Sequence, residues 1–115
     1  MQPLSNPLGY GCDQSIGVCH STDIAYVFGL PIRFRGIGFT EEEYSLSRDM
    51  ISAWTHFATN GNPGKMGEVE WKESLVDDEG HQTTRHMSLY ANDYKMVTGY
   101  FKESCEVFWK PKIFT

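Results

Sequence analysis

The chain has 115 residues, 40% of them hydrophobic and 14% aromatic, and a formal net charge of −5. That length suits one small domain, and that composition builds a packed body rather than a disordered one. The acidic balance argues against nucleic acid or an anionic membrane surface as a partner, and no apolar run is long enough to span a bilayer.

Residues 1–18 carry Pro3, Pro7, Gly9, Gly11 and Gly17 without a hydrophobic period and read as loop. The stretch from Met1 to Pro7 lacks the basic and apolar regions of a signal peptide. His20 then stands on a turn that contains Gly17, just before a short helix. An imidazole placed there is held rather than buried, and it can take and return a proton near neutral pH. The helix is expected from Asp23 to Phe28, capped by Ser21 or Thr22, with Asp23 favourable in its first turn. Ile24, Val27 and Phe28 fall on one face, which is expected to pack into a core. Gly29 and Pro31 are expected to stop the helix. Asp23 reads as a helix N-terminal charge in preference to a hydrogen bond that steadies the histidine loop. From Ile32 to Phe39 the chain reads as a linker, with Arg33 and Arg35 solvated rather than forming an anion site.

Thr40-Glu41-Glu42-Glu43 is a capping box, in which the Thr40 hydroxyl accepts from the Glu43 N–H and the Glu43 carboxylate reaches back. Leu46, Met50, Ile51, Trp54, Phe57 and Ala58 recur at spacings of three and four, so a helix is expected from Thr40 to Asn60. It should be the longest in the chain, with Leu46, Met50, Trp54 and Phe57 buried. A fully buried Trp54 would cost about 3–5 kcal/mol on replacement by Ala. The three glutamates complement the helix dipole and are expected to splay into solvent. Beyond Gly64, Val69 and Trp71 alternate with charged residues, Asp77-Asp78-Glu79-Gly80 signals a turn, and Met87–Tyr90 and Tyr94–Val97 read as short strands. Together they suggest a small antiparallel appendage. From Gly99 to Lys110 a last helix is expected, with Phe101, Cys105 and Phe108 on one face and Pro111 stopping it.

Cys12, Cys19, His20, His81 and His86 have metal-capable side chains. Structural zinc sites use tighter cysteine pairs than Cys12/Cys19, and His81/His86 fits only loosely, so no metal or other cofactor is expected. Cys12 and Cys19 can pair with each other, or one of them with Cys105; spacing does not decide. No Asn-x-Ser/Thr sequon occurs.

The run from Gly17-Val18-Cys19-His20 through Asp23 to Val27-Phe28-Gly29-Leu30-Pro31 resembles the segment around the catalytic histidine of the type-B carboxylesterase and cholinesterase family. The resemblance continues through Trp54-Thr55-His56-Phe57-Ala58 to Gly61-Asn62-Pro63, then Trp71, then Cys105 with Phe108-Trp109. Matches run from about Gly17 to Trp109 in the family's order. The resemblance implies the C-terminal part of an α/β-hydrolase fold, locally helices with the antiparallel appendage. Residues 1–18 are loop-rich and divergent, and 19–115 are family-like. It implies hydrolysis of carboxylic esters, of choline or of other alcohols, by a Ser-His-Glu/Asp triad in which His20 is general base and acid. No Gly-x-Ser-x-Gly nucleophile elbow occurs here, and the family's acidic triad member has no match. The chain is therefore expected to be a fragment that is inactive alone, poorly stable and rich in exposed apolar surface, whose partner is the remainder of the parent domain. The family also implies a secreted or cell-surface protein in which Cys105 pairs with an upstream cysteine. It contains adhesion proteins that keep the fold without catalysis, so a non-catalytic binding protein is the alternative, and the upstream serine discriminates the two.

Overall fold

In the computed structural model, which describes residues 19–113, a tight turn opens helix α1, Thr22–Val27. The expected cap does not form. Ser21 stands at the N-cap with φ 68° and makes no side-chain cap bond, and Thr22 Oγ1 instead donates to the Cys19 carbonyl at 2.8 Å. An N-cap hydroxyl reaches the first helical N–H groups only from an extended residue, and Ser21 is left-handed. The buried face also differs from the expected one. Tyr26 is 2% exposed, whereas Ile24 is 52% and Phe28 75% exposed. The helix is anchored through Tyr26, with Ala25 and Val27 packed beside it, and residues two positions either side of Tyr26 point the opposite way.

Gly29 ends α1 in the left-handed conformation, φ 72°. A Cβ there would also lie 3.2 Å from Ile51 Cδ1. Pro31 does not act as a stop. It lies in the first turn of helix α2, Leu30–Arg33, where its missing N–H is not needed and its fixed φ suits the helix. Only the rest of the expected linker, from Phe34 to Gly38, is turn and bend. There the Arg35 guanidinium lies 5.2 Å from the centre of the Tyr44 ring.

Helix α3, Glu41–Asn60, is the longest element, at 20 residues. Its capping box is present: the Glu43 N–H donates to Thr40 Oγ1 at 3.2 Å, and Glu43 Oε2 accepts from the Thr40 N–H at 2.7 Å. First-turn backbone N–H and the Thr40 hydroxyl hold the exposed Glu42 carboxyl below its ordinary range. Gly61, at φ 73°, closes the other end, its N–H bonded to the Phe57 carbonyl at 2.8 Å. The buried residues are Glu43, Tyr44, Leu46, Ser47, Met50 and Ala53. The three glutamates therefore do not all splay into solvent: Glu43 is 4% exposed. Trp54 and Phe57, expected inside, are 40% and 57% exposed. Burial along α3 ends at Ala53, and every residue from Trp54 to Asn60 is exposed. Trp54 instead meets the edge of Trp71, ring centroids 5.9 Å apart, so its replacement by Ala should cost less than a fully buried tryptophan would.

Two antiparallel hairpins follow. Strand β1, Lys65–Met66, pairs with β2, Val69–Glu70, across a turn at Gly67. Met66 is fully buried and packs into the core beneath α3. Strand β3, Arg85–Ser88, pairs with β4, Lys95–Thr98, in the register Met87↔Met96. The Asp77–Gly80 turn lies between the hairpins, closed by a Val76↔Gln82 bridge. Beside it Arg85 Nη1 holds Asp78 Oδ1 at 2.9 Å, and Arg85 first, then Lys72, keep the exposed Asp78 carboxyl below its ordinary range. Tyr94, just before β4, donates its hydroxyl to Asp49 Oδ2 on α3 at 3.0 Å, tying the second hairpin to the long helix. The expected helices and antiparallel appendage are thus present among the described residues.

The C-terminal helix differs from the expected one. Ser104–Trp109 is a π-helix that runs on into α4, Lys110–Ile113. Pro111 does not stop the helix: the chain is helical on both sides of it, and the wider register before it ends with the Lys110 N–H bonded to the Cys105 carbonyl. Phe101, Cys105 and Phe108 are exposed, so the expected face is not covered by the described residues.

Candidate active site

His20 is exposed and lies in the turn immediately before α1. Local bonds shape this turn. The Thr22 hydroxyl and N–H both point to the Cys19 carbonyl, at 2.8 and 3.4 Å, and the Ile24 N–H reaches the Ser21 carbonyl at 3.3 Å. Among the described residues no carboxylate is bonded or ion-paired to the His20 ring. Asp23 is exposed in the first turn of α1 and is spent on the helix end, not on the imidazole.

Behind this turn lies a buried polar network. Tyr26 Oη donates to Glu43 Oε1 at 2.9 Å, and Ser47 Oγ donates to the Tyr26 carbonyl at 2.7 Å. The Tyr26 ring meets Phe39 edge-on, centroids 6.1 Å apart. Burial first, then the Glu43 charge and the hydrogen bond to it, push the Tyr26 hydroxyl well above its ordinary range. Burial first, then the bond to Asp49, do the same for Tyr94. A raised folded-state value means that the unfolded chain releases these protons first. Stability from both hydroxyls is therefore whole below the unfolded value near 10 and falls as pH rises above it. Tyr26 should remove up to about 1.4 kcal/mol per pH unit well above 10, and the partly buried Tyr94 less. Urea unfolding at pH 9, 10 and 11 measures the slope. An unchanged midpoint across the series would show that neither hydroxyl titrates this way.

The remaining histidines are committed elsewhere. His56 Nδ1 lies 2.6 Å from the Asn62 carbonyl. His81 Nδ1 lies 3.1 Å from Asp77 Oδ2, and His86 packs on Tyr100 with centroids 5.0 Å apart. Donor atoms of Asp77, Glu79 and His81 come within 4.8 Å of one another. Asp77 Oδ1 accepts the N–H groups of Glu79 and His81 at 3.0 and 2.7 Å, so this carboxylate builds the turn. An open groove of about 640 Å³, lined by Trp54, Phe57, Trp71 and Leu75 among others, does not include His20.

Sequence reasoning found the exposed histidine turn and the capping carboxylate. It missed the network that joins them. The available signal was Tyr26, a polar-tipped aromatic inside an apolar run, whose hydroxyl needs a partner once the ring is buried.

The model of the carboxylesterase family matches residues 2–109. The chain is 46% identical over 59 residues to the medium-chain fatty acyl-CoA hydrolase precursor of Anas platyrhynchos, covering 51% of this chain and 10% of that protein. To the acetylcholinesterase of Danio rerio it is 46% identical over 96 residues, 78% of this chain and 14% of that one. To pyrethroid hydrolase Ces2a of Mus musculus it is 42% identical over 70 residues, 61% and 12% respectively. The chain spans between 10% and 14% of the length of these relatives. The matched span takes in the histidine turn, the long helix and the hairpins, and it makes the chain a member of the carboxylesterase family.

Proposed function

We propose that this chain is the histidine-bearing C-terminal part of a serine carboxylic ester hydrolase of the α/β-hydrolase fold, with His20 as general base and acid. The observation that carries this is the exposed imidazole held in a turn before α1, inside a family match that covers residues 2–109. The chemistry asks only that of it. His20 takes the proton from the nucleophilic serine hydroxyl as its oxygen attacks the ester carbon, and returns a proton to the alcohol oxygen as the ester bond breaks. A water repeats the cycle to release the acid. The serine, the carboxylate that orients the imidazole and the oxyanion donors belong to the remainder of the parent domain. Names among the relatives support ester or thioester substrates, choline esters included, and one relative is named as a precursor, which supports a secreted parent. Cys19 is disulfide-bonded and Cys105 is free, so Cys105 is not its partner; Cys12 lies outside the described residues.

The test compares the intact parent with the isolated chain on a nitrophenyl ester and a thioester. The parent should turn over and the isolated chain should match the buffer blank, because a lone imidazole lacks an oriented nucleophile and an oxyanion hole. Turnover by the isolated chain at the parent's rate would place the whole machinery within these residues and overturn the reading.

A further inference from the structure

His20 is joined to the body of the protein by a very short element. Helix α1 has six residues, too few to hold its shape unaided, and Ile24 and Phe28 on its outer side are largely exposed. What fixes it is Tyr26, gripped at both ends. Its hydroxyl is bonded to Glu43 and its carbonyl to Ser47, and both partners project from α3 and are buried, at 4% and 0% exposed. The division of labour on Glu43 is informative. A capping box needs one carboxylate oxygen, and Oε2 supplies it by accepting from the Thr40 N–H at 2.7 Å. Oε1 is turned the other way, to an aromatic hydroxyl on a different helix. One carboxylate thus registers α1 against the first turn of the longest and best-capped element of the chain. Ser47 repeats the link one turn further along α3.

Resting on the reading of His20 as general base, we propose that Tyr26, Glu43 and Ser47 are positioning residues for it. They hold α1, and with it the turn that carries the imidazole, at the place where a serine proton is transferred. They touch neither substrate nor the reacting atoms. Proton transfer needs hydrogen-bond reach, and a displacement of about 1 Å costs up to 100-fold in rate, so the anchor governs kcat while leaving substrate binding alone.

The experiment uses the intact parent and its variants, each assayed for kcat and KM on a nitrophenyl ester with the folded fraction checked by circular dichroism. Tyr26→Phe and Glu43→Ala should each lower kcat about 10- to 100-fold with KM within about twofold. The double variant should lose no more than the worse single one, because both break the same bond. Glu43→Gln keeps an acceptor oxygen for Tyr26 but turns its amide NH2 toward the Thr40 N–H, so it should recover only part of the rate. Tyr94→Phe breaks a comparable tyrosine–carboxylate bond from the second hairpin to α3 and should leave kcat unchanged, which a general loosening of α3 would not. If Tyr26→Phe does not fold, Ser47→Ala, a smaller change on the same anchor, takes its place. Folded Tyr26→Phe or Ser47→Ala with wild-type kcat, alongside an inactive His20→Ala, overturns the anchor and leaves the proposed function standing. Wild-type turnover in His20→Ala overturns the proposed function and the anchor with it.

Discussion

His20→Ala in the intact parent is expected to lower kcat by about 10⁴- to 10⁶-fold, with little change in KM. In the proposed mechanism the size follows from the two proton transfers that pass through one imidazole. Without it the serine hydroxyl must lose its proton to water, and the departing alkoxide must leave unprotonated. The rate that survives comes from binding and the oxyanion donors, which this substitution leaves in place. The position of Asp23 sharpens the test. It lies in the first turn of α1 and is not bonded to the imidazole, so Asp23→Asn should keep turnover near that of the wild type. Steady-state hydrolysis of a nitrophenyl ester measures both variants. A His20→Ala protein that turns over normally would remove His20 from the mechanism.

Met50→Ala should destabilise the protein by about 3 kcal/mol, and Leu46→Ala by a similar amount. Both side chains are fully buried in the cluster that joins Tyr26, Phe39, Ala53 and Met66. Truncation there removes apolar contacts and leaves a cavity that helix packing on several sides cannot close. Urea unfolding should show a lower midpoint with an unchanged slope. Trp54→Ala should cost less, since Trp54 is 40% exposed and keeps one aromatic neighbour. The reverse order, Trp54→Ala worse than Met50→Ala, would show that the groove beside Trp71 is filled by another part of the parent.

Local rules made α3 readable: a hydroxyl before three glutamates, apolar residues at three and four, and a glycine free to turn left-handed are all short-range signals. The second hairpin was readable for the same reason, through alternation and turn residues, though its first strand is Arg85–Ser88 and not Met87–Tyr90; strand β1 was not read. Which residues of α3 face inward was less legible. Periodicity gives the face of a helix but not how far along it the neighbours extend, and this is why Leu46 and Met50 are buried while Phe57 is not. Pro31 was misread as a stop because a proline in a first turn and a proline after a last turn look alike in sequence, and Pro111 because local rules end a helix at an interior proline. The candidate site was legible only as a histidine and its neighbours. The link from Tyr26 to Glu43 spans 17 positions, and no local pattern specifies a partner at that distance. Glu43 carried a complete explanation as a cap, which concealed its second role.

The layout around α3 has a kinetic consequence. The long helix satisfies itself through contacts between near neighbours, whereas Tyr26 and Tyr94 reach it from farther along the chain, with 17 positions separating Tyr26 from Glu43 and 45 separating Tyr94 from Asp49. Closing the chain between them is worthwhile only once a rigid surface waits at the other end. Helix α3 is therefore the natural folding nucleus, onto which the histidine-bearing end condenses late. Loss of the Thr40 cap should slow refolding, and loss of the Tyr94 bond should instead speed unfolding. Stopped-flow measurements on Thr40→Ala and Tyr94→Phe would separate the two, and equal effects on both arms would refute the order. The turn that carries the imidazole would then be among the last parts of the molecule to set and among the first to loosen.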